Sequence, residues 1–283
     1  MSLLALWADG ALCDPEAHVF RADDRGATLG DGVFETIKVA RGRALFLTEH
    51  LERMEEGARL FGIPFGAEAA RAAVAGVLDA PAVATAGATG GDRVFALRIA
   101  LSRGPGARGL TPMTGGRPVL VAALGPAPVP APAALRLVSV RRNEGSPASR
   151  VKCASYADMI LARAEAAAAG GDDALVLNNA GRVACASAAN LWAKTNGGYA
   201  TPPVGEGALP GVARRVILRA ARARGLGVAE RALTLGEAQR AGLFRSNSLL
   251  GVTPAYLPGG PRAADDDPLI RLYEELEAEE AGR

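Results

Sequence analysis

The segment "SRVKCASYADMILARAEA" (residues 149–166) places a lysine, Lys152, in a loop just before a predicted helix. The chain has 32 lysines and arginines together, and only Lys38, Lys152 and Lys194 are lysines. Arginine stays protonated in proteins, whereas a partly desolvated lysine amine can lose its proton and attack a carbonyl. Lys152 is therefore either a nucleophile or an ordinary surface lysine, and composition alone does not separate the two.

The bulk composition describes a globular chain and excludes several classes of function. The 283 residues suit one large domain or two modest ones. The net charge of +2 is spread along the chain, so we expect neither nucleic acid nor a membrane surface as a partner. The three cysteines (Cys13, Cys153 and Cys185) lack metal-type spacing, which predicts a reduced, cytoplasmic protein without a metal site.

The scarcity of histidine excludes further mechanisms. The chain has only His18 and His50, so a histidine-rich metal centre is excluded. A Ser-His-Asp triad would need one of them, and neither lies near a nucleophile-elbow pattern. No GxGxxG or Walker-type loop opens a βαβ unit.

Hydrophobic periodicity in the first half predicts strands that alternate with helices. Residues 32–47 predict a hairpin that turns at Arg-Gly-Arg. Residues 48–63 follow as a helix, for which Thr48 is the predicted N-cap. Residues 93–102 and 117–124 predict buried strands.

The proline-rich segment "GPAPVPAPAA" (125–134) predicts a stiff, extended interdomain linker, because proline at this density excludes a helix or a central strand. We therefore expect a smaller N-terminal α/β domain over 1–124 and a larger C-terminal domain over 135–283. The latter has predicted helices over 155–169 and 212–224 between short strands. The predicted class is α/β (α+β).

Three features of the second half suit one kind of ligand. Pro210 and Gly211 open a predicted helix whose N–H groups and dipole favour an anion, although such a pair more often simply starts a helix. Ser248 adds a hydroxyl in a predicted turn. With a reactive Lys152 these features suit a phosphorylated aldehyde, and pyridoxal phosphate is the cofactor with that chemistry.

Six segments, in their order along the chain, resemble the class IV aminotransferase family. These are the fold-type IV pyridoxal-phosphate enzymes, which include branched-chain and D-amino-acid aminotransferases and aminodeoxychorismate lyase. The segments are "DRGATLGDGVFETIKV", "HLERM", "SRGPGARGL", "RVKCASYADMILARAEA", "GDDALVLNNAGRVACASAANLW" and "TPP…ALPGVARR". The resemblance covers residues 20–258. It implies a homodimer of two-domain subunits, with a barrel-like sheet in the larger domain and the cofactor in the interdomain cleft.

The resemblance implies a role for each matching residue. Lys152 would be the Schiff-base lysine and the acid and base that moves the substrate proton. Arg53, in "HLERM", would grip the cofactor phosphate, although without the motif it would be interpreted as a solvated helix residue. The other predicted phosphate contacts come from the helix start and the turn: Gly211, Val212, Ala213 and Ser248.

The resemblance also identifies residues around the cofactor ring. Tyr156 lies where many relatives place a tyrosine near the phenolic oxygen, and core packing is the alternative. Asn190 would be a structural hydrogen-bonding residue. Cys185 occupies the place of the glutamate that normally keeps the pyridine nitrogen protonated. A thiol with a pKa near ~8.5 donates weakly and brings no charge at neutral pH, and Glu35 is a conceivable substitute.

The segment "SRGPGARGL" bears on the substrate. Lyases and D-amino-acid aminotransferases carry arginines at Arg103 and Arg108, and Arg108 would bind a substrate carboxylate, reaching in from a partner subunit. Phe34 and Leu110 replace the tyrosine and histidine of a D-amino-acid enzyme, which counts against that specificity. The predicted substrate contacts are Arg108, Phe34 and Leu249.

Three functions follow as hypotheses. The sequence around Arg108 and Cys185 favours an aminodeoxychorismate lyase, because aromatisation of the product can drive elimination despite a weakened electron sink. The segment "GDGVFETIKV" favours an aminotransferase acting on branched-chain or other amino acids. A degraded paralogue that binds the cofactor without turnover is the third, and the retention of Lys152, Arg53 and Arg108 together argues against it.

Overall fold

The structure is a computed structural model that describes residues 3–88, 93–111 and 116–282. Within these ranges, no helix has the length and the apolar character needed to cross a membrane.

The chain folds as two compact units. The first contains Met1–Pro128 together with Val151–Ser155, and the second contains Val129–Arg150 and Tyr156–Gly282. The segment that carries Lys152 therefore belongs to the first unit, although it lies between two parts of the second along the sequence. The domain boundaries inferred from the sequence stay a prediction.

The first unit is built on a six-stranded antiparallel sheet in the order β2-β1-β6-β5-β3-β4. Its elements, in chain order, are β1 (Ala5–Ala8), β2 (Ala11–Cys13), α1 (Arg25–Leu29), β3 (Gly32–Ala40), β4 (Arg43–Ala44), α2 (Leu47–Phe61), α3 (Ala67–Leu78), α4 (Pro81–Ala88), β5 (Val94–Ser102) and β6 (Val119–Pro126). The core forms where alternate residues of β3 and β5 meet the apolar faces of α2 and α3.

The predicted hairpin is confirmed, because β3 and β4 pair as antiparallel strands. The turn residues Arg41 and Gly42 both have positive φ (51° and 75°), as a two-residue hairpin turn of the favoured hand requires. The predicted N-cap Thr48 is wrong: α2 begins at Leu47, and its N-cap Phe46 makes no side-chain capping bond. Burial of Phe46, which is 5% exposed, outweighs the capping preference of Thr48.

The second unit is built on an eight-stranded mixed sheet in the order β12-β11-β10-β13-β14-β7-β8-β9. Its elements are β7 (Ala133–Arg142), α5 (Ala157–Ala168), β8 (Asp173–Asn178), β9 (Val183–Ala186), β10 (Asn190–Thr195), β11 (Gly198–Thr201), α6 (Val212–Arg224), β12 (Val228–Glu230), α7 (Leu235–Arg240), β13 (Leu243–Asn247), β14 (Gly251–Tyr256) and α8 (Pro268–Gly282), with short 3₁₀ turns at Pro147–Arg150 and Val204–Glu206. The predicted helices over 155–169 and 212–224 are confirmed as α5 and α6.

Strands extend into both ends of the proline-rich segment 125–134, so the connection between them is shorter than the composition indicates. The strand β6 continues to Pro126, which lies opposite Phe95 of β5, and β7 already begins at Ala133. Proline can end a strand because only its own N–H is missing from the ladder. Residues 127–132 are therefore the part that lies outside both strands.

Candidate active site

The backbone around Lys152 is fixed by pairing with the start of β3. The amide of Phe34 donates to the Lys152 carbonyl at 3.0 Å, and the amide of Ala154 donates to the Gly32 carbonyl at 2.8 Å. These two bonds place a short extended segment beside the strand. The Lys152 side chain therefore starts from a fixed backbone position.

The Lys152 side chain lies against an aromatic ring that it shares with a second cation. Its Nζ is 4.3 Å from the centroid of the Phe34 ring, and the Cζ of Arg98 is 3.8 Å from the same centroid. Each contact has cation–π geometry. Phe34 thus contacts two basic side chains, and the positive charge of Arg98 disfavours protonation of the Lys152 amine.

The pKa of Lys152 is lowered from 10.5 to about 7. Burial is the largest cause, and repulsion by Arg53 and Arg98 lowers the pKa further, while Glu35 raises it. A large fraction of the amine is therefore neutral near pH 7. These properties are those of a nucleophile or a base, and they differ from those of a solvated surface lysine.

Arg53 lies in a buried ion cluster between α2 and β3. It is 7% exposed, so its interpretation as a solvated helix residue is wrong. Its Nε donates to Oε1 of Glu35 at 2.8 Å and its Nη2 to Oε2 at 2.5 Å, while Nδ1 of His50 lies 2.7 Å from Oε2. The fork of bonds fixes the plane of the Arg53 guanidinium.

The ionic state of this cluster follows from opposing effects. Burial raises the pKa of Glu35, but attraction to Arg53 and the hydrogen bond from His50 more than offset it, and the pKa falls to about 2. Burial lowers the pKa of His50. An ionised carboxylate only accepts, so His50 donates through Nδ1 as a neutral ring. Glu35, the conceivable substitute for the missing acid, therefore has both oxygens bonded to Arg53 and His50.

Arg98 is the residue near Lys152 that sequence analysis missed. In β5 the buried residues Phe95, Leu97, Ile99 and Leu101 alternate with others that face away from this core. A charged residue at the centre of such an apolar strand is the signal that could have identified it. The register places Arg98 opposite Thr36, on the face of the sheet that also carries Phe34.

Arg103 and Arg108, two arginines of the loop after β5, have different environments. Arg108 is exposed, as a residue that contacts a substrate carboxylate can be. Arg103 is buried, and its Nε donates to Oδ2 of Asp31 at 2.7 Å while its other nitrogens donate to the Phe61 and Gly62 carbonyls. Arg103 therefore anchors the end of α2.

In the second unit, the start of α6 is shaped by close packing around Gly211. A Cβ on Gly211 would lie 2.1 Å from Oδ1 of Asn190, so a larger residue would collide. Asn190 also donates from Nδ2 to the Leu209 carbonyl at 2.9 Å, which is the structural hydrogen bond expected of it. Val212 and Ala213, each 1% exposed, are the first two residues of α6.

This helix start fits a phosphate group. The first four N–H groups of an α-helix have no acceptor within the helix, and the positive end of the dipole lies there. The first turn of α6, all of it within the described residues, contains no acidic side chain that would repel an anion. The amides of Val212 and Ala213 are thus suitable donors for a cofactor phosphate.

Cys185 lies on β9 within an apolar cluster. It is 7% exposed and packs among Val138, Met159 and Ala184. Burial raises the pKa of the thiol to about 11, although the charge of Arg142 lowers it. Cys185 is consequently a neutral thiol at physiological pH and supplies no negative charge.

The remaining predicted residues also lie in the second unit. Tyr156 precedes α5 and packs partly buried against the cluster that contains Cys185, which supports its alternative role in core packing. Ser248 and Leu249 lie in the turn between β13 and β14, as predicted for Ser248. The Leu249 amide donates to Oδ1 of Asn247 at 3.0 Å, which stabilises this turn.

Comparison with known families identifies the class of this chain. The model of the amino-transferase class IV family matches residues 32–256, and the chain belongs to that family. The members of the family are enzymes that depend on pyridoxal phosphate, and the chain is an enzyme of this class.

Relatives that match most of the chain are named for two different activities. An aminodeoxychorismate lyase from Vibrio harveyi is 29% identical over 96% of this chain and 97% of its own length. A protein from Methanocaldococcus jannaschii that is assigned as a branched-chain-amino-acid aminotransferase is 29% identical over 89% of this chain and 87% of its own length. The crystal structure of a branched-chain aminotransferase from Thermoproteus uzoniensis with norvaline has a TM-score of 0.85 and 25% identity, covering 98% of this chain and 95% of that one.

Proposed function

We propose that the chain is an aminodeoxychorismate lyase, which converts 4-amino-4-deoxychorismate to p-aminobenzoate and pyruvate in folate biosynthesis. The observation that carries the proposal is the positive charge beside Lys152, where Arg98 contacts the same Phe34 ring. The lyase substrate has two carboxylates, whereas a branched-chain amino acid has one carboxylate and an apolar side chain. The exposed cations Arg98 and Arg108 suit the two carboxylates of the lyase substrate better than an aliphatic side chain, because an exposed cation favours an anion.

The neutral thiol of Cys185 supports the same choice. When bound, pyridoxal phosphate supplies an electron sink for the substrate carbon that loses a proton. A thiol with a pKa of about 11 provides no charge to strengthen that sink. Elimination tolerates this weakness better than transamination, because formation of an aromatic product drives it.

Lys152 would perform the proton transfers. Lys152 would hold the cofactor through its amine, and the same amine would take the proton from the substrate carbon that bears the amino group. The bond between the ring carbon and the ether oxygen would then break, and the three-carbon enol that leaves with this oxygen would take up a proton at its terminal carbon to become pyruvate. All atoms of the substrate appear in the two products, so no oxidant is needed. A pKa of about 7 makes both protonation states of Lys152 accessible near neutral pH.

Other residues would bind and orient the cofactor and the substrate. In the first unit, Arg53, whose plane Glu35 fixes, would hold the cofactor phosphate. In the second unit, the start of α6 and the turn before β14 would supply further donors to a phosphate. The full set proposed for the cofactor is Arg53, Lys152, Tyr156, Cys185, Gly211, Val212, Ala213 and Ser248, and for the substrate Arg108, Phe34 and Leu249. A homodimer in the cytoplasm completes the proposal, and the cysteines of the described residues are all free thiols.

A branched-chain aminotransferase is the second candidate. The similarity to the Thermoproteus uzoniensis structure and to the Methanocaldococcus jannaschii protein favours it. Under this alternative, Phe34 and Leu249 would contact an aliphatic side chain.

The deciding experiment offers both kinds of substrate to the purified, cofactor-loaded protein. With aminodeoxychorismate, we expect equimolar release of p-aminobenzoate and pyruvate. With leucine, isoleucine or valine and 2-oxoglutarate, we expect little glutamate. Glutamate formation without p-aminobenzoate would replace the lyase by the aminotransferase, and full cofactor occupancy with neither product would indicate the degraded paralogue.

Changing Cys185 to glutamate tests the reason given for elimination. We expect Cys185→Glu to raise the ratio of transamination to elimination by about tenfold or more, because a fixed negative charge strengthens the electron sink. Cys185→Gln is the matched control, since it has the same size without the charge. The ratio is measured with both substrate types on each variant, and thermal unfolding reports the cost of placing a larger side chain in the cluster. An equal change in both variants would contradict the argument.

A further inference from the structure

Arg25, at the first position of α1, is a buried arginine with an unusual set of partners. Only 3% of the residue is exposed. Its Nε donates to Oδ2 of Asp31 at 2.9 Å. Its other two nitrogens donate to three backbone carbonyls of one loop, namely those of Ala107 at 3.3 Å, Gly109 at 2.8 Å and Leu110 at 3.4 Å.

These three carbonyls flank a single residue, Arg108, whose own side chain is exposed. Ala107 precedes Arg108, and Gly109 and Leu110 follow it. Residues 107 to 110 are all exposed, and Leu110 is 84% exposed. Exposed side chains bury little apolar surface, so the loop depends on backbone hydrogen bonds for its position.

We propose that Arg25 is a positioning residue that holds the carbonyls on both sides of Arg108 and thereby sets where the Arg108 guanidinium meets a substrate carboxylate. The inference rests on the carboxylate-binding role proposed above for Arg108. The planar guanidinium of Arg25 can bond the carboxylate of Asp31 and the loop at once, because its donors lie in a rigid fork. A loop held in place loses less conformational freedom when the substrate binds, and this tightens binding.

Arg103 provides a matched comparison, because it shares its partner Asp31 with Arg25. It donates to the same Oδ2 of Asp31 and is also buried, at 6% exposed. Its other donors reach the carbonyls of Phe61 and Gly62 at the end of α2, which lie outside the loop. Replacement of Arg103 therefore disturbs the bonding of Asp31 without removing the bonds that flank Arg108.

The test compares Arg25→Lys with Arg103→Lys in the full-length, cofactor-loaded protein. A lysine keeps the charge but cannot bond Asp31 and the loop together. For Arg25→Lys we expect amide hydrogen exchange in the loop to accelerate about tenfold and the KM for aminodeoxychorismate to rise about tenfold, with kcat changed less than about twofold. For Arg103→Lys we expect a lower melting temperature with much smaller changes in loop exchange and KM.

Arg108→Lys separates the inference from the proposed function. If Arg108→Lys raises KM while Arg25→Lys changes neither KM nor loop exchange, the inference is overturned and the role of Arg108 stands. If Arg108→Lys leaves KM unchanged, the role of Arg108 fails and the inference falls with it. Should Arg25→Lys not fold, Asp31→Asn loosens the other end of the Arg25 side chain, and unchanged loop exchange there would also overturn the inference.

Discussion

Replacement of Lys152 by alanine is expected to lower kcat by about 10⁴-fold or more, because one side chain supplies both the nucleophile and the proton-transfer group. Lys152→Arg should be almost as inactive, since arginine keeps the charge and cannot lose its proton. The measurement is single-turnover kinetics with aminodeoxychorismate. Activity retained in Lys152→Arg would show that the residue acts only through its charge.

The same lysine should show its shifted pKa without any turnover. The amine reacts only when neutral, and its pKa is lowered to about 7. The rate of acylation of Lys152 in the cofactor-free protein should therefore rise with pH and be half-maximal near pH 7. Peptide mapping of the modified protein identifies the site. A midpoint near the ordinary value of 10.5 would contradict the burial and the repulsion described here.

Replacement of Glu35 by glutamine is expected to destabilise the protein by about 3–5 kcal/mol, because it leaves the buried guanidinium of Arg53 without its counter-charge. Glu35 is fully buried and accepts bonds from Arg53 and His50. Denaturant unfolding measures the loss. Glu55→Gln is the control, since Glu55 forms an exposed pair with Arg59, and such pairs contribute little.

The pH dependence of the free energy of unfolding gives a second measure of how much Glu35 stabilises the fold. Its pKa in the folded protein is about 2, below the ordinary value of 4.5. Its contribution is therefore complete above pH 4.5 and is lost as the pH falls from about 4.5 to about 2. The difference in stability between wild type and Glu35→Gln should shrink across that window. A difference that stays constant would mean that the charge of Glu35 does not stabilise the fold.

Local sequence patterns predicted the elements better than the contacts between them. The hairpin of β3 and β4 and the helices α5 and α6 follow from periodicity and turn residues, which act over a few positions. The start of α2 was misplaced because burial of Phe46 depends on residues distant in sequence. Propensity is a weak guide where tertiary packing decides.

The candidate site shows the same limit. Resemblance identified Lys152 and Arg53, but the pairing of Arg53 with Glu35 joins residues 18 positions apart on different elements. Its existence depends on how α2 packs on β3, which no local pattern contains. The pKa of Lys152 is lowered mainly by burial and by Arg53, and further by Arg98, and all three effects depend on segments that are far apart in the sequence.

The membership of Val151–Ser155 in the first unit has a consequence for the order of folding. The chain completes residues 129–150, which belong to the second unit, before it supplies the segment that pairs with β3. During synthesis the start of β3 therefore lacks this partner segment until residues more than a hundred positions downstream of Gly32 have been made. Contacts of such long sequence separation form slowly, because loop closure must precede them. A fragment that ends at Pro128 would expose this edge of β3, and we expect such a fragment to aggregate.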